Sequence, residues 1–145
     1  MIKIHNLEHV SWASSDLEPA QSILKLFGIR PTGSEEIHEQ GVTTTYFEAD
    51  CGVRFEVIRP ISDDAPLKRF LSSHGPGLHH VCFQVDNLED ACDQVQRAGG
   101  QLVGPPFSDS RGSHVFVHPK STGGVLIGMI ELHPHLKATS GESAK

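Results

Sequence analysis

Two stretches of this chain begin with histidine and then read alike. His9 opens "HVSWASSDLEPA", and seventy-one positions later His80 opens "HVCFQVDNLEDA". Neutral imidazole is a common ligand for divalent cations, and two imidazoles at equivalent places in a repeat are the pair that could share one. Glu56, in "GVRFEVIRP", is the best candidate for a third donor. It sits between Phe55 and Val57, where a carboxylate is costly unless paired or bound to a cation. Each residue also has a plainer reading. His9 and His80 could be polar residues on a partly wet sheet face, and Glu56 shares its parity with Arg54, as on a solvated strand. The duplication favours ligation by the histidine pair. His5, His38, His74, His79, His114, His118, His133 and His135 have no such equivalent, and His79, next to His80, is expected to point the other way.

The elements that would hold these residues follow from the repeat. Val10/Val81, Trp12/Phe83, Leu17/Leu88, Glu18/Glu89 and Ala20/Ala91 match, and the offset carries Gly28 onto Gly99 and Gly33 onto Gly104. With one residue added, Gly52-Val53 falls on Gly124-Val125. A match sustained over this distance implies two homologous modules, residues 1–62 and 75–135. They form a single domain over 1–135, joined by a linker helix in 63–74 and followed by a disordered tail at 136–145.

In each module an alternating strand leads into a helix and then three short strands. Ser15-x-x-Glu18 resembles a capping box and Asn87-x-x-Asp90 an N-cap, while Gly28 and Gly99 stop the two helices. Strands are expected near 28–32, 42–49 and 53–59, and again near 101–103, 113–117 and 125–132. The fold class is therefore α+β: two βαβββ modules with pseudo-twofold symmetry, forming a curled mixed-sheet cleft. Val10 and Trp12 must cover a helix, so His9 and Ser11 turn to the helix-free face. Cys82 and Gln84 share the face of His80 and would line the same pocket as Ser11.

Composition narrows the function classes. The chain has 145 residues and a formal net charge of −6, which argues against a nucleic-acid surface. No apolar run approaches the roughly 20 residues of a membrane span, and the N-terminus shows no signal-peptide core. The three cysteines, Cys51, Cys82 and Cys92, form no metal-ribbon spacing and suit a reducing cytoplasm.

Five segments, "HVSWASSDLEPA", "EQGVTTTYFE", "FEVIRPISDDAPLKRFL", "GLHHVCFQVDNLEDA" and "HPKSTGGVLI", resemble the vicinal oxygen chelate superfamily, of glyoxalase and bleomycin-resistance type. Within it they are most similar to the methylmalonyl-CoA epimerases. That resemblance implies a divalent metal (Co, Ni, Mn, Zn or Fe) held by His9, Glu56 and His80. It also implies a general base at Glu39, in "HEQGV", and proton abstraction beside the carbonyl of a small-molecule substrate such as an acyl-CoA. A homodimer is implied as well.

One family feature is missing. The fourth ligand, a glutamate, falls on Gly128. Glu131 follows after an odd step, so only a bulge could turn it to the ligand face; water or ligand at that position is the favoured expectation. Two other functions stay open: a glyoxalase I-like lyase or isomerase, or another chemistry at open metal positions such as that of iron oxygenases; and a non-catalytic small-molecule binding protein of the resistance type.

Overall fold

The computed structural model describes residues 1–137. Strand β1 (Ile4–Ala13) leads to helix α1 (Glu18–Leu26), strand β2 (Arg30–Ile37), a 3-10 turn at His38–Gln40, and strands β3 (Val42–Glu48) and β4 (Arg54–Pro60). Helix α2 (Pro66–His74) follows. Then come β5 (Gly77–Val85), α3 (Leu88–Arg97), β6 (Leu102–Ser108), β7 (Gly112–Val117), a second 3-10 turn at Pro119–Ser121, β8 (Ile127–Leu132) and the short α4 (Pro134–Lys137). The βαβββ grammar thus occurs twice, with mixed pairing in each copy, and the class is α+β.

Two compact units make up the described chain: His9–His80, and Met1–Glu8 together with the chain from Val81 onward. The boundary differs from the expected modules, because the first eight residues group with the later unit.

In the His9–His80 unit the strand order is β2-β3-β4-β1. β1 runs parallel to β4, and β2, β3 and β4 are antiparallel neighbours. One face of these strands packs on α1 through Leu24, Phe47 and Val57, with Trp12, Leu17, Ala20 and Phe55 around them. The other unit repeats the order as β6-β7-β8-β5. Its core joins Val85, Val115, Val117 and Met129 to Leu88, Ala91 and Cys92 of α3.

Four local expectations need correction. Ser15 does not cap α1. Instead the Ser14 hydroxyl and the Asp16 backbone form a tight turn, Asp16 Oδ1 accepts from the Glu18 N–H, and proline occupies the first helical turn. Proline needs no N–H partner there, so the helix starts at Glu18. Second, β2 and β6 run well beyond the short segments expected of them. Both are edge strands; β2 is largely polar and β6 is interrupted by Gly104-Pro105-Pro106, so neither carries an apolar alternation to read. Third, the linker helix occupies Pro66–His74, later than its opening acidic residues suggest, and ends at Gly75 with φ 72°. Fourth, positions 136 and 137 belong to α4; the remainder of the expected tail lies outside the described residues. Asn87 does cap α3, accepting from the Asp90 N–H at 2.7 Å.

Candidate metal centre

Parallel pairing of β1 with β4 sets Ser11 opposite Glu56. Directly opposed residues leave a sheet on the same side, so His9, Ser11 and Glu56 share one face while Trp12 and Val57 meet α1 on the other. His80, at the far end of the same unit, completes a cluster. His9 Nε2 lies 3.2 Å from His80 Nε2, and Glu56 Oε1 lies 3.3 Å from the first and 3.5 Å from the second. All three residues are buried, at 6–7% exposure.

These distances fit a cation. Donors bonded at about 2.0–2.1 Å to one ion stand about 2.8–3.0 Å apart at octahedral right angles and about 3.3–3.4 Å apart in tetrahedral geometry. The three donor atoms satisfy that spacing within a few tenths of an ångström. The charge state fits as well. Burial alone pushes the Glu56 carboxyl upward, but positive charge at His9 and His80, when they are protonated, and the hydrogen bond from His9 outweigh it and bring it to about 2; with neutral imidazoles, a bound cation would supply that charge instead. A charged, buried carboxylate beside two imidazoles matches the donor set of a divalent transition metal.

His79 is a residue that sequence reasoning missed. It was expected to point away, yet its Nδ1 lies 2.9 Å from Nδ1 of His80. For His80 to offer a lone pair at Nε2, its proton must sit on Nδ1 and be donated to His79. Burial pushes the His79 pKa down, so that ring stays neutral and can accept. Phe70 of α2 packs edge-to-face on His79 at 4.7 Å and fixes its orientation. Such an outer partner sets the tautomer and angle of a metal-binding imidazole. The only trace in the sequence was the His79-His80 doublet itself.

The remaining predicted residues are distributed as follows. Ser11 is fully buried on the face of Glu56. Glu39 is exposed on the 3-10 turn after β2, which closes at Gly41 with φ 65°. In the other unit Cys82 is buried with Ile130 and Leu132, and the Gln84 side chain is buried with its Oε1 unpartnered. Gly128 is the Cα partner of both Cys82 and Phe116. Glu131 belongs to the opposite face. β8 keeps its register with β7 through Glu131, with no bulge. The Glu131 carboxylate accepts the Leu88 N–H at 2.9 Å and pairs with Lys137 at 2.9 Å, which together hold its pKa below the usual range. Its carboxylate thus serves the start of α3.

A family model described as the Glyoxalase/Bleomycin resistance protein/Dioxygenase superfamily matches residues 8–117. The mitochondrial methylmalonyl-CoA epimerase of Dictyostelium discoideum is 30% identical over 136 residues, spanning 90% of this chain and 80% of that protein. The enzyme of the same name from Mus musculus is 31% identical over 133 residues, spanning 86% and 72%. Among solved structures, methylmalonyl-CoA epimerase from Mycobacterium tuberculosis superposes with a TM-score of 0.85 at 26% identity, covering 93% of each chain.

Proposed function

Because the chain belongs to the glyoxalase/bleomycin resistance protein/dioxygenase superfamily, we propose that it is a metal-dependent epimerase acting beside the thioester carbonyl of a methylmalonyl-CoA-like acyl-CoA. The observation that carries this is the convergence of His9 Nε2, His80 Nε2 and Glu56 Oε1 in one buried cluster. His9, Glu56 and His80 would hold the cation, and His79 would hold the His80 ring. A divalent ion supplies positive charge to the substrate's carbonyl oxygens, which makes the neighbouring C–H acidic enough for a carboxylate to take. Glu39 accepts that proton. Return of a proton from the opposite side of the carbon inverts the centre.

The family resemblance puts the fourth ligand at Gly128, which has no side chain, so any further donor to the ion would have to come from water or substrate. Metal identity follows from the donor set only as a class: two imidazoles and one carboxylate suit Co, Ni, Mn, Zn or Fe.

The test is deuterium wash-in. Protein stripped with chelator and reconstituted with each metal is incubated with methylmalonyl-CoA in D2O, and α-carbon exchange is followed by NMR. Exchange that needs both metal and His80 supports the reading. A fully metal-loaded protein that gives none ends it, and the binding-protein reading then takes precedence.

A further inference from the structure

We infer that Tyr46 and Glu35 form a proton relay that supplies the second acid/base group of the proposed epimerisation; this rests on the epimerase reading above. Inversion needs a proton to leave one side of the carbon and another to arrive on the opposite side. Glu39 serves one side. The resemblance makes the missing fourth-ligand glutamate the second acid/base group as well, and its position is Gly128, which has no side chain.

Tyr46 is the antiparallel Cα partner of Glu56, so the two side chains leave the sheet on the same face, with Cβ atoms about 4.5–5.5 Å apart. The neighbouring Phe47 and Val57 turn the other way, into the α1 core. Tyr46 therefore lies one strand away from the carboxylate of the candidate metal centre, inside the same compact unit. Glu35 of β2 is paired with Thr44, two residues before Tyr46, which puts Glu35 on that face too. The phenol Oη donates to Glu35 Oε1 at 2.5 Å. Thr44 and Ile58, buried at 1% and 5%, make the floor beside the pair.

A lone phenol, with a pKa of about 10, is a poor base at neutral pH. A phenol already bonded to a carboxylate behaves differently. As the substrate's α-C–H bond breaks, its proton goes to Oη of Tyr46 and the phenol's own proton passes to Oε1 of Glu35. The electron pair is left delocalised onto the carbonyl oxygen. The products are a neutral Glu35, a tyrosine still protonated and a deprotonated substrate. The reverse step returns a proton to carbon through the same two atoms. Charge and protons balance with no further reactant.

The experiment presents the two epimers of methylmalonyl-CoA separately, in D2O, to metal-loaded wild-type, Tyr46→Phe, Glu35→Gln and Glu39→Gln proteins. Metal content and circular dichroism are recorded for each. Tyr46→Phe and Glu35→Gln should each slow α-exchange of one epimer by about 100-fold or more while exchange of the other continues, with metal content unchanged. Glu39→Gln should show the opposite preference. Tyr46→Phe and Glu35→Gln proteins that exchange both epimers at wild-type rate, or lose both equally, overturn the relay. A wild-type protein that exchanges neither epimer brings down the epimerase reading itself, and the relay with it.

Discussion

Replacing Gly128 with alanine should destabilise the protein, and removing the Cys82 thiol should cancel most of that cost. A Cβ built on Gly128 lies 3.0 Å from Cys82 Sγ and 3.3 Å from both Cys82 Cβ and Phe116 Cε1. Ordinary contacts of this kind sit at about 3.5–4.0 Å, so the thiol is the tightest obstacle. Cys82 is 1% exposed and has little room to yield. Overpacking of this sort costs about 1–3 kcal/mol. Lost unfolded-state freedom on Gly→Ala works against it by about 0.4–1 kcal/mol, because Gly128 is not among the positive-φ glycines. The net expectation is a loss of about 1–2 kcal/mol. In a Cys82→Ala background the thiol is gone and the same substitution should cost little. The coupling between the two sites should therefore be about 1–2 kcal/mol, well above the roughly 0.3–0.5 kcal/mol scatter of independent sites. Urea unfolding of the four proteins in a double-mutant cycle measures it, with chelator present so that metal linkage does not enter. Strictly additive costs would refute the reasoning and show that the strand relaxes around the new methyl group. Gly128→Glu meets the same obstacle, so seating the family's missing carboxylate should also require Cys82→Ala.

Further outcomes are expected elsewhere. His79→Phe should weaken metal binding by about 10–100-fold, the usual cost of losing an outer hydrogen-bond partner, and His80→Ala should weaken it more; competition against a chromophoric chelator reads both, and unchanged affinity in His80→Ala would refute ligation. Glu131→Ala should cost about 1 kcal/mol through loss of the Leu88 N–H cap, with bound metal per chain unchanged; a fall in metal stoichiometry would restore Glu131 as a ligand. Gly112→Ala places a Cβ 2.1 Å from the Glu131 carbonyl oxygen, so β7 must move off β8 at a cost of at least about 3 kcal/mol, visible as a lowered urea midpoint. Burial alone would raise the Asp109 carboxyl, but His114 and the N–H groups of Arg111 and Gly112 outweigh it and hold its pKa below 3.8. Its stabilisation is therefore complete above the unfolded value and lost as pH falls through the folded one; Asp109→Asn should flatten the decline of stability below about pH 4.

The sequence by itself determined the periodic and local features. The duplicated offset, the Asn87 cap and the glycines ending α1 and α3 are short-range and appear in the structure at those residues. Strand alternation also placed His9 opposite the α1-packed face, because a side chain's side of a sheet follows from parity alone, whereas Glu56 joined that face only through the pairing of β1 with β4. What depends on register and long-range approach was decided only by tertiary structure. Parity sent His79 away from His80, yet adjacent imidazoles can still meet through Nδ1 once Phe70 of α2 fixes one ring. Glu131 had an acidic side chain near the family's ligand position, but an unbroken β8 register turned it toward α3. The edge strand β2 carries too few apolar residues to announce itself, so the pairing that sets Glu35 beside Tyr46 could not be read in advance. Face is a property of one strand; partnership belongs to two, and only the folded pairing supplies the second.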